Sequence, residues 1–490
     1  MINTVYELIT DVMAKQYPDR VAFRYVAADG KTVVEKTYAQ YVQDIRRAVT
    51  YFKENIPDIK GKRVGIMSRN CYEYGVNSFG AILAGAVVVT INQKKTWPEL
   101  EYELGLVEPS LIVNDGIDYG CRPDIEAAYG DKLRPMDAFK DSAPAELVDC
   151  VGHDDLMVLM FTSGTTGRSK GVMLSEKNYF TACQMYIDGQ KCVLDYEERL
   201  VPQYLDQTFS HFTLVPMFHL AGFICYFVYG IQGWTLNLCC DARDLRRDMS
   251  LMHSDAMSTP PVLVEMICNE VKRGHADRLN GLWNLSCSSA ILDPVILSDL
   301  VKNGFYINQC YSMTELAGYG LLNVTQEGDH LRALGKPDGF CEVKVDETGE
   351  ICVRGGCVML GYYKNPEATA ETIDKDGWLH TGDLARVDEE GYYYMTGRKK
   401  NLIILDSGEN VSPEELEKLL GKCDAIKECI VKEMGKKIGT VVCCEDDKQQ
   451  QVKAFVTELN RTLPMYKRIS VVECSAEPLP RNALGKLLRK

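Results

Sequence analysis

Met160-Phe-Thr-Ser-Gly-Thr-Thr-Gly-Arg-Ser-Lys-Gly-Val-Met-Leu174 runs from an apolar strand into a loop of small hydroxyl residues and glycines, and leaves it through a lysine. Between Thr162 and Ser169 only Arg168 is large. A loop of this composition can wrap successive backbone N–H groups and hydroxyls around phosphate oxygens, because glycine permits the positive φ angles and the close approach required. It is a phosphate cradle by composition. It is not a Walker A loop, since Ser169 stands where the second glycine would fall counting from Gly164. A plain Ser/Thr/Gly turn uses the same residue types. The length of the run and the lysine that closes it, Lys170, weigh against that simpler reading.

Outward from this loop, helical and strand periodicities alternate. Residues 39–55 space their apolar side chains as an amphipathic helix, residues 63–67 read as a short buried strand, 72–84 as a helix and 86–91 as a β-branched strand. Such alternation predicts parallel sheets covered by helices. Near residue 341 the pattern changes to short strands, 341–345, 349–353 and 391–395, separated by glycine and charged turns. The basic link Gly397-Arg-Lys-Lys-Asn401 precedes a fresh start. There Ser412 caps a helix with Pro413 in its first turn and acidic residues favouring the positive helix end. The expected organisation is α/β. A large N-terminal domain of helix-covered sheets, 1–397, carries a β-rich subdomain at about 335–397, and a small mobile α+β C-terminal domain covers 398–490.

Four further motifs come after the loop in order: Tyr311-Ser-Met-Thr-Glu315, Gly377-Trp-Leu-His-Thr-Gly-Asp383, Gly397-Arg398 and Pro480-Arg-Asn-Ala-Leu-Gly-Lys486. With Thr-Ser-Gly-Thr-Thr-Gly-x-x-Lys-Gly they resemble the adenylate-forming superfamily, which includes acyl-CoA synthetases, peptide-synthetase adenylation domains and luciferases. The N-terminal region is similar as well, so the resemblance covers essentially the whole chain and is nearest to acyl-CoA synthetases. It implies a two-step reaction. A carboxylate attacks the α-phosphate of ATP to give an acyl-adenylate and pyrophosphate, and a thiol then attacks the acyl carbon and releases AMP. Because an anion must attack a polyanion, catalysis has to come from cations and donors aimed at phosphoryl oxygens.

By matching position, the resemblance implies that Thr162, Ser163, Gly164, Thr165, Thr166, Gly167 and Lys170 hold the β and γ phosphates. Thr314 would hold the α-phosphate, and Glu315 the Mg2+, which suits a carboxylate oxygen. Tyr311 would stack on adenine beside Ser288, Ser289 and Ala290, Asp383 would accept from the ribose hydroxyls with Arg398 close by, and Lys486 would stabilise the transition state. Lys400 would be the pivot of the small domain. Taken singly, Asp383 reads equally as a turn residue and Lys486 as part of a basic tail; order and spacing together overturn that. Two departures stand out: Ser169 where the family usually has proline and Ser312 where it usually has glycine. Both residues are small, which predicts retained function with altered loop stiffness.

Peptide-synthetase domains place an aspartate where this chain has His219, in Val215-Pro-Met-Phe-His-Leu220. A buried substrate ammonium without a counter-ion would cost several kcal/mol, so an α-amino acid is disfavoured. His219 resembles the acyl-CoA synthetase residue that lies near the acyl carboxylate, with a satisfied core histidine as the alternative. The surrounding aromatics, among them Phe212, Phe223 and Phe227, could line an acyl tunnel or form plain core. The link at 397–401 inclines the reading toward a fatty acyl-CoA synthetase. Coenzyme A is the expected acceptor, with a discrete carrier protein as the alternative. A non-catalytic nucleotide or acyl-CoA sensor is less consistent with intact Glu315, Asp383 and Lys486.

Composition bounds the remaining possibilities. The 490 residues allow roughly three domain-sized units by length alone, and 46% apolar with 25% charged residues is an ordinary globular balance. A net charge of −14 disfavours general attraction to nucleic acid or anionic lipid. The most apolar stretch, 221–234, is short and broken by Gly230 and Gln232, so no transmembrane segment is expected. Residues 1–11 lack signal-peptide character. Nineteen scattered cysteines, never spaced Cys-x-x-Cys, read as small hydrophobes, as in the pairs Cys239/Cys240 and Cys443/Cys444, and predict a reducing cytoplasm. Seven dispersed histidines give no transition-metal motif.

Overall fold

The computed structural model describes residues 2–162, 168–196, 209–288, 291–404, 410–435, 437–481 and 487, with backbone alone at 190–196, 404 and 410. The chain divides into two compact units: Met1–Val343 with Val353–Leu379, and Lys344–Cys352 with His380–Lys490.

Two large sheets organise the first unit. The seven-stranded sheet runs Gly361–Tyr362, Lys170–Ser175, Leu156–Thr162, Val87–Thr90, Arg63–Met67, Leu111–Asn114, Leu133–Pro135; its last five strands pair in parallel. The eight-stranded sheet has six parallel strands, Tyr306–Met313, Asn284–Ser288, Ala256–Thr259, Ser210–Thr213, Thr235–Leu238 and Val21–Val26. Antiparallel strands Gly318–Asn323 and Val33–Thr37 close its edges. Parallel strands need crossovers, and helices supply them. The helix expected over 39–55 spans Tyr38–Asn55, started by a capping box between Thr37 and Gln40. The helix Tyr72–Leu83 is buried almost throughout and packs against it, with Gly80 close to Ala48.

The second unit contains a three-stranded sheet, Glu428–Glu433, Ile438–Cys443 and Val471–Ser475, with helices Pro413–Leu420 and Gln449–Thr462. Leu416, Leu420, Val431, Ile438 and Val456 form its core. Ser412 caps the first helix as expected, accepting from the Glu415 N–H. The same Ser412 hydroxyl donates to the Thr396 carbonyl at 2.7 Å, and Tyr393–Arg398 pairs antiparallel with Leu379–Val387. The Ser412 bond ties strand Tyr393–Arg398 to the start of the helix Pro413–Leu420, so both sides of the link at 397–401 lie within one unit by contacts. That the link is also a mechanical pivot is a proposal, for the kinetics of the two half-reactions to decide.

Among the described residues every cysteine is a free thiol, and Cys239, Cys443 and Cys444 are buried. The apolar run at 221–234 is the helix Leu220–Gln232, buried along most of its length, and no described helix is long and apolar enough to cross a membrane.

Candidate active site

The strands flanking the glycine-rich loop pair antiparallel, and their last register pair is Thr162 with Lys170. Residues 163–167, which hold Ser163, Gly164, Thr165, Thr166 and Gly167, lie outside the described residues. On the exit side the Lys170 ammonium sits 4.6 Å over the Tyr362 ring, and the Tyr362 hydroxyl donates to Glu315 Oε1 at 3.0 Å. Burial and the neighbouring carboxylate push the Tyr362 phenol well up, keeping it a donor. One tyrosine therefore joins the end of the glycine-rich loop to the acidic residue of the Tyr311 motif. Its place is set by the pairing of Tyr362 with Val172 in the seven-stranded sheet. Gly361 precedes it at φ 134°, where an added Cβ would lie 2.7 Å from the Thr369 side chain. The sequence does not single out Tyr362, because Gly-Tyr-Tyr is one aromatic pair among many.

The loop exit has a second anchor. Lys95 forms an ion pair with the buried Glu103 and lies 3.4 Å from Ser169 Oγ, while Arg168 stacks over the Tyr102 ring at 5.2 Å. Ser169 thus meets a buried ion pair.

Thr314 and Glu315 occupy a single 3₁₀ turn after the strand Tyr306–Met313, which carries Tyr311 half-buried near its end. Glu315 is 9% exposed, and its carbonyl accepts from the Met359 N–H. A buried carboxylate held by a hydroxyl donor is the oxygen chemistry that a hard divalent cation takes, so this residue fits Mg2+.

His219 is exposed, at the N-cap of the helix Leu220–Gln232. Its carbonyl accepts from the Gly222 and Phe223 N–H groups. Gly222 is required there, because an added Cβ would lie 2.4 Å from the Pro216 carbonyl oxygen. His219, Ser288 and Thr314 line one pocket, together with Leu263 and Met313. Ser289 and Ala290 lie outside the described residues. This pocket, of about 410 Å3 and within the size range of small-molecule sites, shares Tyr186, Ala221 and Ser288 with a smaller cavity of about 60 Å3. The buried histidine of the region is His211, 1% exposed, which burial holds neutral by lowering its pKa to about 3. Nothing in the sequence marks His211, since it sits in an unremarkable strand.

In the second unit Asp383 and Arg398 are register partners, and their side chains form an ion pair with Nε 3.1 Å from Oδ1. The strand segment before Asp383 is fixed by Glu350, a buried carboxylate that accepts from the Gly382 N–H and from Lys399 Nζ, each at 2.7 Å. Lys400 lies in the 3₁₀ turn Lys399–Asn401, and Lys486 falls outside the described residues. Asp346, Cys352 and His380 offer ligand atoms within 4.8 Å of one another. Asp346 Oδ1 already accepts from Thr348 and Glu350, and the Lys399 ammonium supplies the local positive charge, so this group reads as a polar network.

The family model described as AMP-binding enzyme matches residues 11–363. A feruloyl-CoA synthase from Amycolatopsis sp is 31% identical over 454 residues, covering 88% of this chain and 88% of that protein. A long-chain-fatty-acid–CoA ligase of Escherichia coli O157:H7 is 27% identical over 515 residues, covering 93% and 89%. Among solved structures, O-succinylbenzoate coenzyme A synthetase from Bacillus subtilis in complex with AMP superposes with a TM-score of 0.81 at 23% identity. It covers 99% of this chain and 97% of its own, a likeness of fold.

Proposed function

The chain belongs to the AMP-binding enzyme family, and on that premise we propose that it is an AMP-forming carboxylic acid:coenzyme A ligase working through an acyl-adenylate. The observation that most supports this reading is the single pocket lined by His219, Ser288 and Thr314, which come from three separate motifs. His219 at the pocket wall receives the carboxylate of the acid and orients one oxygen toward the α-phosphorus. As that P–O bond forms, the bond to pyrophosphate breaks, and the Thr314 hydroxyl donates to a non-bridging α-phosphate oxygen. Lys170 and the loop it closes hold the departing phosphates. Glu315 is the carboxylate that would hold the Mg2+ carried with ATP, which would supply neutralisation of phosphate charge. Tyr311 faces adenine beside Ser288. The assignments of Asp383 to the ribose, Arg398 beside it, Lys486 to the transition state and Lys400 to the pivot rest on motif position. In the second step the thiol sulfur attacks the acyl carbon, the acyl–oxygen bond breaks and AMP leaves.

The test is product analysis of the purified protein with ATP, Mg2+ and a panel of acids, with and without coenzyme A. AMP and pyrophosphate form only when an acid is present, and a thioester forms when coenzyme A is added. Release of ADP and orthophosphate overturns the reading, and preferential turnover of a free α-amino acid overturns the role given to His219. The two relatives take different acids by their names, so the acyl class has to be argued from this chain's own cavity.

A further inference from the structure

The cavity behind His219 has two unlike walls. One is the helix Leu220–Gln232, whose Ala221, Ile224, Cys225, Val228 and Tyr229 follow the spacing of a single helix face. From Ala221 to Tyr229 that face extends about 12 Å at 1.5 Å per residue, beginning beside His219. The other wall is the eight-stranded sheet, bearing His211, Ser258, Asn284, Ser286, Ser288 and Asn308 with the apolar Ala256, Met257 and Leu322 among them. Register sets these side by side: His211 pairs with Ala256 and Ala256 with Asn284, while Ser258 pairs with Ser286 and Ser286 with Asn308. Along the strand Asn284–Ser288, the residue shared with the His219 pocket is Ser288. Asn284 lies about 13 Å further in at 3.3 Å per residue.

The opposite face of the same strands carries Phe212, Leu285, Cys287 and Ile307, all in the apolar core. Polar alternation of this kind ordinarily points to water, yet His211, Asn284 and Asn308 are only 1%, 7% and 9% exposed. Buried amides and hydroxyls are costly unless something bonds to them. Asn308 Nδ2 lies 3.5 Å from Asn284 Oδ1, Asn308 Oδ1 accepts from the Cys310 thiol at 3.8 Å, and the Ser286 hydroxyl lies 3.7 Å from the same sulfur; these long contacts use part of what the two amides and the hydroxyl can donate and accept. At the inner end, Tyr229 lies against His211 with 2.8 Å between hydroxyl and Nδ1, and His211 Nε2 accepts from the Ser258 N–H. No described lining residue is Asp, Glu, Lys or Arg, and His211 is neutral.

We propose that this cavity selects carboxylic acids whose far end carries an uncharged hydrogen-bonding group, a hydroxyl or a carboxamide, about 10 Å from the carboxylate. It does so over alkyl acids of the same length and over acids bearing a second charge. A methyl-ended chain would desolvate the asparagines without bonding to them, and a second carboxylate would meet no cation. This conclusion rests on reading the His219 end as the carboxylate end. It departs from the fatty-acid inclination of the link at 397–401, because that link says nothing about the cavity wall.

Matched pairs test it: 8-hydroxyoctanoic against nonanoic acid, and 3-(4-hydroxyphenyl)propanoic against 3-(4-methylphenyl)propanoic acid, with nonanedioic acid as the charged control. Equilibrium binding to the intact protein is measured by calorimetry, and kcat/KM by acid-dependent pyrophosphate release. The hydroxylated member should lead by at least about tenfold in one scaffold or both, since a site built for hydrogen bonds penalises the analogue lacking them. Asn284→Leu and Asn308→Leu should shrink that ratio while sparing the methyl-ended member. If either variant fails to fold, the ratio in the unaltered protein decides. Equal or better binding of the methyl-ended members in both scaffolds, preference for the diacid, or no binding of any acid overturns the proposal. A binding preference without AMP formation from any acid would instead overturn the ligase reading and leave the selectivity standing.

Discussion

Tyr362 stands between two ionic groups, with the Lys170 ammonium over its ring and the Glu315 carboxylate on its hydroxyl. Tyr362→Phe keeps the ring and removes the donor. A hydrogen bond to a charged group is worth about 1.5–3 kcal/mol, so acid-dependent pyrophosphate release should fall by roughly tenfold or more and should require more Mg2+. Tyr362→Leu, which also removes the ring, should be slower still. A Mg2+ titration of all three proteins checks both expectations, and an unchanged Phe variant would deny the pairing a role. His211 gives a pH dependence of stability. Its folded pKa is lowered to about 3 against an ordinary value of 6.5, so below 6.5 the unfolded chain binds a proton that the native one refuses. The stability that neutral His211 confers is complete above pH 6.5 and drains as pH falls toward 3. His211→Gln should flatten the loss of thermal midpoint between pH 7 and pH 5, whatever its effect at pH 7. Glu315 and Asp383, whose roles are proposals, are singled out in the sequence by the order of the motifs that contain them. Tyr362 and His211 are not, because their partners lie 47 and 18 or more residues away in sequence.

At the scale of elements, the start of the helix Leu220–Gln232 decides where His219 points. Gly222 lets the first turn pass close beneath the Pro216 carbonyl. Gly222→Ala would place a methyl 2.4 Å from that oxygen, and overpacking of this kind costs about 1–3 kcal/mol. The expected outcome is a lower thermal midpoint and a raised KM for the acid, with KM for ATP much less affected, measured by differential scanning calorimetry and steady-state kinetics. Equal rises in both KM values would mean that the turn does not position the acid site. Periodicity locates the four elements read between residues 39 and 91 within a residue or two, since one apolar face per element suffices for that. The strand expected over 63–67 is Arg63–Met67, and the helix expected over 72–84 is Tyr72–Leu83. Alternation in Asn284–Ser288 points equally to a solvated face and to a lined cavity. Only the helix Leu220–Gln232 packed near that face distinguishes them.

At the scale of the whole molecule, the proposed two-step reaction would have Lys486 act in the first half only. Lys486→Ala should abolish acyl-adenylate formation and leave thioester formation from supplied acyl-adenylate largely intact. Lys400→Pro, which fixes φ within the turn Lys399–Asn401, should spare adenylation and slow the thioester step if that turn is the pivot. Single-turnover kinetics of each half-reaction measure this, and equal loss of both halves in both variants would rule alternation out. The order of five local motifs determined the family and the alternation of helix and strand periods the α/β class, because order and period are properties of the chain itself. Periodicity located elements such as Tyr38–Asn55 and Arg63–Met67, because one apolar face is written in the local sequence. Only the tertiary structure decided that Tyr362 bridges Lys170 and Glu315 and that a buried wall of Ser and Asn faces the helix behind His219. These are relations across a sheet, where neighbours one strand apart in space are tens of residues apart in the chain. Whether a polar residue meets water or a ligand depends on what is packed over it.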